Sequence, residues 1–207
     1  MKQLFFTATL IALTFIAVGF PARPASAFQR PYYYEPSHNF SPYFTISGGA
    51  WLPAHTSALD TSLTTTEKRY DGGVGVGAAI GMEIGQILRL ENELSYRYAS
   101  GRGGGDTWAL GWMVNAWLQA RNQTPVTPYF GGGFGLGRGH VASAGLGDGD
   151  VTGVAYQAGA GLDILLDRRT SLDLGYRYFG ISDTGNHIGS ANDLAGSSFM
   201  AGVRFRF

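Results

Sequence analysis

Ten charged residues stand at alternating positions in stretches that are otherwise apolar or glycine-rich: Glu83, Arg89, Glu91, Glu93, Arg97, Asp163, Asp173, Arg177, Arg204 and Arg206. Five are acids, five are bases, and every base is an arginine. A guanidinium is a planar fork of donors that can hold several carboxylates at fixed geometry. The chemistry these residues suggest is mutual neutralisation in a balanced charge network.

Other reactive side chains are placed less favourably. The chain has no cysteine, which excludes thiolate chemistry and a disulfide framework. His55, His140 and His187 fall in stretches expected to be loops. Imidazole is a common metal ligand, but these three share no spacing that would gather a site. Gly147-Asp148-Gly149-Asp150 lacks the rest of an EF-hand pattern and reads as a solvated turn. His140 and Ser143 are a candidate Ser–His pair, yet a spacing of three sends them to opposite faces of an extended strand. A nucleophile and its base cannot use that arrangement. Ser182, Asp183 and His187 have suitable types with no supporting pattern. No catalytic residue, metal or cofactor is assigned.

The elements that must position the ten charges are β-strands, because apolar residues alternate with them at a period of two. The clearest case is 73–84, where Val74, Val76, Ala78, Ile80, Met82 and Ile84 oppose glycines and Glu83. The same pattern predicts strands over 43–52, 88–98, 108–119, 128–137, 154–164, 172–178 and 199–207. Asn92 interrupts the apolar face of the third. In the last strand Phe199, Ala201, Val203, Phe205 and Phe207 oppose Arg204 and Arg206. An open apolar edge of this kind invites aggregation, and pairing it with 43–52 removes the edge.

Long loops are expected near 53–71, 101–106, 140–151 and 180–195, and short turns at 85–87, 121–127 and 166–169. Even strand number with long loops at one rim and short turns at the other is the pattern of outer-membrane barrels. Tyr96, Tyr98, Trp108, Tyr176 and Tyr178 fall toward the loop rim, and Phe44, Phe130, Phe205 and Phe207 toward the turn rim. Two such girdles match the two lipid interfaces. The reading is an all-β, eight-stranded antiparallel transmembrane β-barrel with an up-and-down meander, its turns and termini in the periplasm. Eight strands enclose a space that side chains can fill, so the ten charges would plug the interior. A soluble lipocalin-like barrel or sandwich is the competing architecture.

Composition agrees. Glycine is abundant at 32 residues, while charged residues make up only 14%. Residues 1–27 read as a secretory signal peptide: Lys2, an apolar run from Leu4 to Phe20, and Ala25-Ser26-Ala27 as the cleavage site. A retained anchor is the alternative. Residues 28–42, with three prolines, read as an irregular periplasmic leader, and 43–207 as the barrel domain. Loss of Lys2 and Arg23 leaves a slight acidic excess, which gives no reason to expect nucleic acid as a partner.

Several segments resemble the opacity-protein and OmpA-like family of eight-stranded outer-membrane barrels. They are Pro128-Tyr129-Phe130-Gly131-Gly132-Gly133-Phe134-Gly135, Ala155-Tyr156-Gln157-Ala158-Gly159-Ala160-Gly161, Asp173-Leu174-Gly175-Tyr176-Arg177-Tyr178-Phe179, and the Phe-ended last strand. The resemblance implies residence in the outer membrane of a Gram-negative bacterium, in contact with lipid and lipopolysaccharide. It also implies that Phe205 and Phe207 form the signal read by the barrel-assembly machinery. The expected function is non-enzymatic: a structural and surface-interaction barrel whose outer loops meet host or envelope ligands. A narrow porin is the alternative, and a lipid A-modifying enzyme a further one.

Overall fold

The computed structural model describes residues 40–54, 57–59, 65–67, 72–100, 105–122, 124–142, 149–183 and 194–207. All belong to one compact unit, Tyr32–Phe207. The stretch 1–27, expected to be a signal peptide, and most of 28–42 lie outside the described residues. So do His55, Ser143, Asp148, His187 and much of the four stretches expected to be long loops.

The strands are β1 (Phe40–Pro53), β2 (Ser57–Leu59), β3 (Thr65–Glu67), β4 (Gly73–Ile84), β5 (Leu88–Ser100), β6 (Asp106–Gln119), β7 (Val126–Val141), β8 (Gly149–Leu165), β9 (Thr170–Asp183) and β10 (Leu194–Arg206). Eight of them close an antiparallel barrel in the order β1-β10-β9-β8-β7-β6-β5-β4, while β2 and β3 pair only with each other. Closure joins the last strand to the first, with Phe44 opposite Phe205 and Trp51 opposite Ser198. Every backbone group of a spanning sheet has to be paired within the protein, and only a closed sheet achieves this.

The turns at the short end follow local chemistry. Gly85 has φ 61°, a left-handed conformation that glycine adopts without penalty, and it opens the 85–87 turn between β4 and β5. At 167–170 the Asp167 carboxylate accepts from the backbone N–H groups of Arg169 (2.8 Å) and Thr170 (2.9 Å), the side-chain cap typical of an Asx turn.

Side chains alternate as the period requires. The outward face is apolar and exposed, including Ile46, Ile80, Leu94, Trp112, Phe134, Leu136 and Phe199. The inward face is buried and carries the charges.

At the long-loop end the strands run farther than the alternation of apolar-outward residues predicts. The stretch 140–151, expected to be loop, is strand at both ends: Val141 pairs with Gly149 and His140 with Asp150. Likewise β9 continues to Asp183 and β10 begins at Leu194, so Ser182 and Asp183 are strand residues. β1 begins at Phe40, inside the stretch read as leader. The physical reason at the loop end is an inversion of faces. There Arg138, Asp150, Thr152 and Ser182 point outward and are exposed. Trp51, Met113, Val151, Phe179, Ile181 and Leu194 point inward and form a buried apolar cluster. Polar-outward and apolar-inward is the pattern of a strand in water, so this end reads as barrel wall standing clear of lipid.

Candidate functional site: the barrel lumen

All ten charged residues singled out by their spacing lie on the inward face and are buried, with Arg89 and Arg204 at 0% exposure. Removing a charge from water costs several kcal/mol per ion unless a partner compensates it. Most of these charges have one. Near the short-turn end, Arg206 on β10 reaches Glu83 on β4 (3.2 Å) and Asp163 on β8 (2.8 Å). Arg204, two positions earlier, bonds to both Asp163 and Asp173. Deeper in, Arg89 on β5 lies 3.2 Å from Glu91 and 3.7 Å from Asp173 on β9. Above that, Arg177 on β9 donates to Glu93 Oε2 on β5 at 2.6 Å. The same oxygen accepts from Asn115 (2.8 Å) and Gln157 (3.0 Å).

Aromatic residues build the walls between these pairs. Tyr43 donates to Glu91 Oε1 at 2.8 Å, Trp117 Nε1 to Glu91 Oε2 at 2.7 Å, and Tyr129 to Asp173 Oδ1 at 2.6 Å. Arg89 lies over the Tyr129 ring at 4.4 Å and near Trp117 at 5.7 Å, while Arg204 lies 5.0 Å from the Tyr43 ring. Arg89 and Arg204 are thus each held by carboxylates and by an electron-rich ring. Glycines make this possible. A Cβ on Gly81 would stand 2.3 Å from the Tyr43 ring, and one on Gly161 would stand 2.5 Å from Tyr129.

Sequence periodicity places the ten charges but passes over several lumen residues. Tyr43, Trp51 and Tyr129 are buried, and aromatics do not announce an inward face in a chain whose outward face is also aromatic. Their phase does: Tyr43 alternates with Thr45, and Tyr129 with Gly131. Arg121 is also missed. It lies in the 120–125 connection, outside any period, yet its Nη2 is 2.5 Å from Glu83 Oε2.

The outward face holds two polar features. Asn92, which interrupts the apolar face of β5, accepts a 2.7 Å hydrogen bond from Trp112 Nε1. An indole donor and an amide acceptor thereby satisfy each other where no water is available. At the loop end His140 is not a loop residue. It projects from β7, with Nδ1 2.8 Å from Asp150 Oδ1 and its ring stacked on Trp108. Arg138 approaches the same carboxylate at 4.0 Å. Trp108 stacks in turn on Tyr96, forming a band at the loop rim. At the other rim Phe207 is 80% exposed, and its backbone N–H donates to Pro42 O at 3.1 Å.

The fold has counterparts among known proteins. Neisserial surface protein A is similar over 84% of this chain and 100% of its own, with 22% identity and a TM-score of 0.57. The outer membrane protein OprG from Pseudomonas aeruginosa is similar over 82% of this chain and 97% of its own, with 16% identity and a TM-score of 0.50. No curated protein matches the chain in sequence. The family model for the outer membrane protein beta-barrel domain matches residues 10–207. With its closed eight-stranded meander, apolar outer face and charged lumen, this chain belongs to that family of outer-membrane β-barrels.

Proposed function

We propose that this protein is a non-enzymatic outer-membrane barrel with a plugged lumen, anchored by its strands and working through its loop end. The observation that carries this reading is the set of contacts between β5 and β9, which stand opposite each other in the barrel order. Arg177 meets Glu93, Arg89 approaches Asp173, and Arg97 lies over Phe179 at 3.9 Å. Three levels of side chains therefore cross the full width of the lumen. A solute would have to break buried ion pairs to pass, at about 3–5 kcal/mol for each partner removed.

On this reading the ten charges are structural and hold the barrel shut. Phe205 and Phe207 form the signal for the assembly machinery, and the outward face contacts lipid and lipopolysaccharide. The loop end meets surface ligands of the host or the envelope. Liposome swelling in small sugars tests the plug. Rates equal to those of protein-free liposomes are expected, and swelling that rises with protein content favours the narrow porin instead. Lipid A mass spectra from overexpressing and deletion strains test the non-enzymatic part. Identical spectra are expected, and a new or lost acyl chain would contradict it.

A further inference from the structure

We propose that the lumen holds a small inorganic anion of the halide class at Arg97, on the boundary between the charged network and the apolar cluster. Among the described residues, the five buried carboxylates are engaged by Arg89, Arg121, Arg177, Arg204 and Arg206. Arg97 is the lumen arginine left over. It is 2% exposed, and no described carboxylate lies within ion-pair distance of it. Glu93, two inward positions away on β5, is already bound by Arg177, Asn115 and Gln157.

The surroundings of Arg97 leave its charge without a direct ion pair. One face of the guanidinium rests on the Phe179 ring, a member of the apolar cluster. Nη1 donates to Ser95 Oγ at 2.9 Å, and Nε has no acceptor. An arginine cannot discharge itself by losing a proton, and an unpaired charge in such a setting is costly. An anion removes that cost.

The donors for it are present, on a wall without bulky side chains. Gly75 stands opposite Arg97 in register, and Gly77, the next inward position on β4, lies between Ser47 and Ser95. A Cβ on Gly75 would already touch Arg97 Cγ at 3.5 Å and Met200 Sδ at 3.7 Å, so only a small ion suits this wall. Ser95 accepts from Arg97, so its own proton is free to point at an anion.

Bromide tests the proposal directly. Protein unfolded and refolded in sodium bromide, with no chloride present, is crystallised and its anomalous scattering measured at the bromine edge. The expected result is a bromide peak within hydrogen-bonding distance of Arg97, absent from Arg97→Gln treated in the same way. Well-ordered density at Arg97 without bromine signal would overturn the proposal. If Arg97→Gln does not fold, the wild-type map alone decides. A second readout is the Tm of wild type in chloride against gluconate at equal ionic strength. A drop of a few degrees in gluconate is expected because ligand binding stabilises the folded state. Equal Tm values in the two salts would count against the site.

Discussion

Arg177 on β9 and Glu93 on β5 meet at 2.6 Å across the middle of the barrel, although 84 residues separate them in the chain. The pair spans the lumen at its full width, and it is buried on both sides. Removing one partner strands the other charge. Arg177→Met is expected to destabilise the folded barrel by about 3–5 kcal/mol, the usual cost of breaking a buried pair. Arg177→Met with Glu93→Gln should recover part of it. Urea unfolding in lipid vesicles measures both, and a single variant as stable as wild type would show that the pair holds nothing together.

The glycines beside the interior tyrosines predict a steric pair. Gly81→Ala places a methyl group 2.3 Å from the Tyr43 ring, and overpacking of this kind costs about 1–3 kcal/mol. Adding Tyr43→Leu should restore part of the stability: it removes the ring but not the Leu90 carbonyl, 2.6 Å from the same methyl. A Gly81→Ala barrel with unchanged unfolding midpoint would contradict the packing described for this lumen.

On the lipid face, Asn92 and Trp112 should behave as a coupled pair. Asn92→Leu leaves an indole N–H in hydrocarbon without an acceptor, and Trp112→Phe leaves the amide without its donor. The double-mutant cycle is expected to give a coupling energy of about 0.6–1.7 kcal/mol, the range measured for side-chain hydrogen bonds inside membranes. A coupling of zero would mean that the two groups satisfy themselves elsewhere.

Phe207 predicts an assembly phenotype. Deleting it should lower the amount of barrel in the outer membrane far more than shortening the segment 186–193 does. Fractionation followed by immunoblotting compares the two, and normal outer-membrane levels after the deletion would remove Phe205 and Phe207 from the assembly role proposed for them.

Much of this molecule is legible from alternation alone. The ten lumen charges, the apolar outer face and the pairing of 199–207 with the first strand all follow from a period of two carried through lipid. The alternation misleads where lipid ends. Beyond the membrane the faces exchange character, so Phe179, Ile181 and Leu194 sit inside while Ser182 sits outside. A pattern sought in the opposite phase reads as loop. Glycine and aspartate in 140–151 strengthen that misreading, because strand propensity yields to the packing of Val151 and the contact between His140 and Asp150. Asn92 looks anomalous along its own strand and is explained only by Trp112 on the neighbouring one.

Single-channel recording tests the central claim most directly. The protein is refolded, its barrel confirmed by protease protection, and then inserted into planar bilayers. The account predicts silent membranes for wild type, and silence still for Glu93→Ala combined with Arg177→Ala, because Arg89–Asp173 and Arg97–Phe179 continue to cross the lumen. Stable, large openings from the wild-type protein would contradict it.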